Sequence, residues 1–301
     1  MKPTHNSAAL EPGGPVHCDI VAFGSVQFTL DMFPALRKKP GPGAGESLPN
    51  NFLKHTDEQT VASLAAVLQA IERFGLSATN FHDWGVVAAP AFLGRATLVA
   101  ALQHYAEEGA WGISPHFIPH CSQHAVAGTI SQALKIHGPN FGTGGGPAGT
   151  MEAFLAGAVL LEGNQLPGVW AVASAWEPEM IPDGDGNATA NCICKAVALA
   201  LVPAGSGKLD MALRVCPIHE PASDGRGDGA CRPSAPAFET LQNALADCRS
   251  ALSKLSWCVN SAAIVELQFR SRERDLPAPL NGQGARARTL EQAGAGTEKK
   301  R

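Results

Sequence analysis

The sequence predicts an α/β protein with a mixed sheet covered by helices on both faces. Two observations point there. Segments of helical period alternate with short apolar strands in the first half, while strands follow one another in the second. Strands such as WGVVAA (84–89) and VWAVASA (169–175) are apolar without alternation, as expected where both faces of a sheet are buried.

Residues 1–15 form a polar lead containing Pro and Gly. HCDIVAFGSV (17–26) reads as a buried first strand, and 37–51 as a loop whose basic cluster, Arg37, Lys38 and Lys39, is a solvated turn or a docking patch for an acidic partner. A helix is expected over 56–74, with Thr56 as cap, Gln59 completing a capping box and Gly75 as the stop. Val61, Leu64, Ala65, Leu68 and Ile71 give its buried stripe. A second helix within 90–108 has Leu98, Ala101, Leu102 and Tyr105 as its stripe. Later strands are expected at 194–202 and 209–215, joined by a hairpin at Gly205-Ser206-Gly207-Lys208. A last helix follows at 236–255, an edge strand at 262–269, and a charged tail from Arg270; the domain thus runs from 16 to 270, with 271–301 as a disordered tail.

Composition narrows the function classes. Apolar residues make up 45% and charged residues only 17%, which points to surface covered by a partner. The net charge of −4 leaves no electrostatic footprint for nucleic acid. No run reaches the roughly 18–20 apolar residues that span a bilayer, and the N-terminus lacks an apolar signal core. Eight cysteines without a pattern then read as reduced and buried, in a cytoplasmic protein.

The chain is organised around ISPHFIPHCSQHAVAGTISQALKIHGPNFGTGGGPAGTMEAFLAGAVLLE (113–162), read as helix, short extended segment, glycine turn and helix. Ala148, Met151, Phe154, Leu155, Ala158 and Leu161 share one helical face. Pro147 is placed at the helix start, where a missing N–H costs least. With Gly144, Gly145 and Gly146 before it, the turn resembles an active-site elbow with N–H groups aimed at an oxyanion. No nucleophile stands there.

Ser114-Pro115-His116-Phe117-Ile118-Pro119, then Val126-Ala127-Gly128, Gly138-Pro139-Asn140 and the alanine-rich helix ending at Glu162 resemble the β-ketoacyl synthases, and among them the short chain-length factors of aryl polyene and related pigment systems. Gly24-Ser25 resembles the early glycine turn of condensing enzymes. The resemblance implies the thiolase-like fold, of which this length allows little more than the N-terminal half. It also implies a cysteine at the elbow, lowered in pKa to carry an acyl group; ungapped alignment puts Pro147 there. A degenerate subunit is therefore expected, pairing with an active ketosynthase that works with an acyl carrier protein. Pro139, Asn140, Phe141, Gly142 and Thr143 are implied as the dimer seam, and Phe117, His120, Cys121 and Met151 as pocket residues. The alternatives are a divergent acyltransferase or decarboxylase using His120, Cys121 or the glycine turn, and a homodimeric acyl-binding protein.

Other motifs read as structural, and neither metal nor cofactor is expected. Gly144–Gly149 matches G-x-G-x-x-G with Glu162 beyond, but HGPNFGT is a poor strand to lead into it. His120 and His124 have helical i, i+4 spacing without the glutamate of a zinc helix, and Cys121 with His124 lacks a third orienting group. Cys192 and Cys194 read as packing residues on one face of a strand. Asp183–Asn187 lacks the glycine and glutamate of a calcium loop, and Gly205–Lys208 lacks most of a P-loop.

Overall fold

A computed structural model describes residues 14–41, 48–49, 51–115, 117–146, 149–181, 189–207, 209–218, 236–246, 254–259 and 263–269. Their strands are β1 (Val16–Thr29), β2 (Gly85–Pro90), β3 (Asn140–Gly142), β4 (Val169–Glu177), β5 (Ile193–Pro203), β6 (Met211–Pro217), β7 (Lys254–Val259) and β8 (Ala263–Phe269). The helices are α1 (Phe33–Leu36), α2 (Glu58–Arg73), α3 (Arg95–Glu108), α4 (Phe117–Cys121), α5 (His124–Leu134), α6 (Glu152–Asn164) and α7 (Phe238–Ala246). The strands form one sheet in the order β3-β2-β4-β5-β1-β6-β8-β7. β2 runs parallel to β3 and β4, and the remaining neighbours pair antiparallel.

Alternation along the central strands feeds two cores. Val169, Ala171 and Ala173 of β4 and Val197, Leu199 and Leu201 of β5 face one side, where α6 and α7 contribute Phe154, Ala158, Leu161, Leu241 and Leu245. Trp170 and Val172 of β4 and Ala196, Ala198 and Ala200 of β5 face the other, against α2 and α5. This is the two-sided burial that the unbroken apolar strands require. Trp170 is fully buried, its ring 6.0 Å from Trp84 and 5.8 Å from Phe81.

α2 lies in the middle of its layer, and residues on nearly every side of it are buried, from Gln59 to Ala70. The stripe Val61, Leu64, Ala65 and Leu68 is buried as expected. Its cap is different: Asp57, not Thr56, accepts from the Gln59 N–H at 2.8 Å, while the Thr56 hydroxyl donates back to the Leu53 carbonyl at 2.9 Å. The Gln59 side chain, instead of completing a capping box, donates to the Ala91 carbonyl at 2.7 Å and accepts from the Ser174 hydroxyl at 3.1 Å. Gly24 is not in a turn but within β1, at the point where α2 crosses it; a β-carbon there would collide with the Ala66 carbonyl.

Other expectations change with long-range packing. The stripe of the second helix is not buried: Leu98 is 42% exposed, Leu102 58% and Tyr105 54%. β8 is not an edge strand, since β7 pairs outside it. Lys254 and Leu255 belong to β7 rather than to the last helix, whose described part ends at Ala246. Gly205–Lys208 does not close a hairpin, because β1 lies between β5 and β6. The connection steps over β1 instead, and the Gly207 N–H donates to the Asp19 carboxylate at 2.8 Å. Cys192 and Cys194 pack in the core beside α2, as expected. The 1–13 lead, the 183–187 turn and the tail from 270 lie outside the described residues.

Replacing Gly24 by alanine forces α2 away from β1. A loss of about 1–3 kcal/mol is expected, in the range of overpacked cores, read as a lower midpoint in urea unfolding.

Candidate functional site

β3 enters the elbow along β2, with Val87 opposite Phe141 and Ala88 opposite Gly142, and the Thr143 N–H adds one more bond to the Ala88 carbonyl at 2.8 Å. The chain then turns through Gly144 (φ +78°) and Gly145 (φ +121°), conformations that favour glycine. The turn is clamped from two sides. The Gly145 carbonyl accepts from the Phe92 N–H at 3.1 Å, and Gln123, at the junction of α4 and α5, packs against Gly142 and Gly145. The Gly149 N–H donates to the Gly146 carbonyl at 3.1 Å. Pro147 and Ala148 lie outside the described residues.

The helix does not start at Pro147. A 3-10 turn covers Gly149–Met151, and the α-helix begins at Glu152. An acidic side chain thus occupies the first turn, the position that complements the helix dipole, and it accepts from the Thr143 hydroxyl at 3.4 Å. That carboxylate opposes the binding of a second negative charge at this helix start. Met151, expected in a pocket, is 1% exposed and sits in the core beneath the elbow.

The other three pocket residues do come together. Phe117, His120 and Cys121 line a cleft of about 280 Å3 between α3, α4 and the segment before α2. His55, Thr97, His104 and Ser114 complete its polar wall, and the His55 and His120 rings lie 6.2 Å apart. The α3 pattern marks Leu98, Ala101, Leu102 and Tyr105, whereas the helix turns Thr97, Ala100, Ala101 and His104 to the cleft, a face that carries no apolar period. α4 ends at Cys121 and α5 begins at His124, so His120 and His124 do not share one continuous helix. Among the described residues no group of three potential ligands is placed to hold a metal ion.

The chemistry of Cys121 is that of a covered thiol. Burial is the main reason its pKa is pushed up to about 11; Asp57 and Glu58 add to the rise, and a hydrogen bond with Thr97 opposes it. A nucleophilic cysteine needs the opposite surroundings. Asp57 itself is pushed up to about 7, first by burial and then by Glu58, against the Gln59 and Gly94 N–H groups and Arg37. Arg37 is committed to Glu58 at 2.6 Å and to the Thr56 carbonyl at 2.9 Å, which removes it from the basic cluster expected at 37–39.

Comparison with known proteins agrees with this arrangement. The model of the β-ketoacyl synthase N-terminal domain matches residues 46–159, from before α2 into α6. A chain of the solved complex of a ketosynthase with its chain length factor from Xenorhabdus doucetiae superposes with a TM-score of 0.50 at 13% identity, covering 84% of this chain and 99% of that one. A chain of the ishigamide ketosynthase/chain length factor gives 0.52 at 14% identity, covering 86% and 100%. The chain has the thiolase-like ketosynthase fold. No curated protein matches its sequence. In this chain the implied seam falls on β3, the outermost described strand of the sheet beside β2, with Pro139 leading into it and Thr143 following. No helix among the described residues is long and apolar enough to cross a membrane.

Two outcomes follow from the titrating groups. The native state holds the Asp57 proton more tightly than the unfolded chain, so its stabilisation is complete below the usual carboxylate value of 3.8 and is lost as pH rises through about 7. The melting temperature is expected to fall between about pH 4 and pH 7, and Asp57→Asn to flatten that fall. At pH 8 iodoacetamide should label Cys121 on the order of a hundredfold more slowly than a free cysteine, as read by mass spectrometry of the tryptic peptide.

Proposed function

We propose that this chain is a ketosynthase-like subunit without condensing activity of its own, which pairs with a complete ketosynthase along β3 and walls part of its acyl tunnel. On this reading it acts as a chain-length factor in an aryl polyene-type pathway, and an acyl carrier protein serves the partner. The observation that carries the reading is the apolar surface beside an open strand edge. Phe141 on β3 is 37% exposed, Ile118 on α4 75%, and Trp111, between α3 and α4, 97%. Leu98, Leu102 and Tyr105 extend the surface along α3. Large apolar side chains left in water on neighbouring elements suit an interaction surface, and a short outer strand offers backbone groups to a second sheet.

Two further points support it. Pro147 stands where the family carries its nucleophile, and it has neither a reactive side chain nor an N–H. The covered, high-pKa Cys121 is a poor substitute, which disfavours an independent acyltransferase. Both superposed neighbours come from systems described as a ketosynthase with a chain length factor.

Co-expression with ketosynthases encoded nearby, followed by native mass spectrometry, tests the proposal. A one-to-one complex is expected, and Phe141→Asp should dissociate it. Trp111→Ser should weaken it by roughly 2 kcal/mol, about thirtyfold in Kd, as for an aromatic anchor. A chain that stays monomeric beside every candidate sinks the reading. A homodimer through the same surface would replace it with an acyl-binding homodimer.

A further inference from the structure

A second cavity lies away from the β3 edge, where β1 parts from β6. The two strands pair only over Val16–Asp19 of β1, and farther along side chains of α2 and α7 meet the strand instead. The Gln69 carboxamide oxygen accepts from the Ser25 N–H at 2.8 Å. The Gln242 amide donates to the Val26 carbonyl at 3.0 Å and accepts from the Gln27 amide at 2.8 Å. These bonds hold open a cavity of about 300 Å3 lined by Ser25, Gln27, Gln69, Arg73, Gln242 and Asn243.

Among the described residues, Arg73 is its one charged wall residue. The guanidinium carbon lies 4.8 Å from the ring centre of Phe23 and 5.4 Å from that of Phe74, so two aromatic rings hold the cation in place. Its Nε, shut off from solvent, has no hydrogen-bond partner among the described residues, and no Asp or Glu among them lines the cavity.

We propose that this cavity binds a small organic monocarboxylate, gripped by Arg73. The guanidinium fork matches a carboxylate, and a single cation suits a single negative charge. The surrounding amides suit a second polar group, and Phe23 and Ala246 cover a short apolar portion. The volume lies at the lower end of the roughly 300–1,000 Å3 of ligand pockets and admits a small acid. This inference is independent of the partner reading, since β1 and β3 are separated in the sheet by β2, β4 and β5.

Calorimetric titration of the full-length protein with acetate and with butyrate, against chloride at equal ionic strength, tests it. Saturable one-site binding is expected for at least one acid. Arg73→Gln should weaken it tenfold or more, and Arg73→Lys, which keeps the charge but loses the fork, should weaken it as well. Asn243→Asp sets a carboxylate on the cavity wall and should block binding in a folded protein, which keeps the test decisive if Arg73→Gln does not fold. Equal binding by wild type and either Arg73 variant overturns the proposal, as does the absence of saturable binding to wild type. Asp247 follows Ala246 in the chain, and binding seen only in Asp247→Asn would mean that Arg73 serves the chain's own carboxylate, which also overturns it.

Discussion

The fold depends on how closely α2 crosses β1. Gly24 lets the helix backbone approach the strand, and burial on nearly every side of α2 follows from that approach. From this position the helix supports both ends of its layer. Gln59 near its start reaches the ends of β2 and β4 through Ala91 and Ser174, and Gln69 near its finish meets β1 at Ser25. Side-chain amides join layers here because a buried backbone group left unpaired costs more than the bond returns when made.

The elbow inherits its shape from the same framework. Phe92, just past the end of β2, and Gln123, between two helices, hold the glycine turn from opposite sides. Beside that turn an acid sits in the first turn of α6, and Cys121 is covered and hard to ionise.

Much of this was legible in the sequence because strand burial on two faces and helix periodicity are local signals. The central strands, α2 and the two-helix segment around the turn are where the pattern placed them. The errors share a cause. The α3 stripe has the period of a core helix, but period says only that apolar residues share a face, not whether this chain or another covers it. The Gly205–Lys208 connection carries hairpin residues, yet strand order is a long-range property that a turn sequence does not encode. Asp57 took the cap from Thr56 because the hydroxyl found the Leu53 carbonyl first, a competition between neighbours that spacing cannot rank. The Arg73 cavity left no motif, since its lining comes from β1, α2 and α7.

The step of the chain over β1 has a consequence for biogenesis. β1 comes first among the described strands, yet its two neighbours, β5 and β6, are among the later ones. On a ribosome its edges wait unpaired until the chain has grown to Ile193, the first ladder partner in sequence. Only then does the centre of the sheet close. Such late, non-local closure is slow and exposes strand edges to other chains, so the nascent protein is most vulnerable to misassembly before its middle layer is complete.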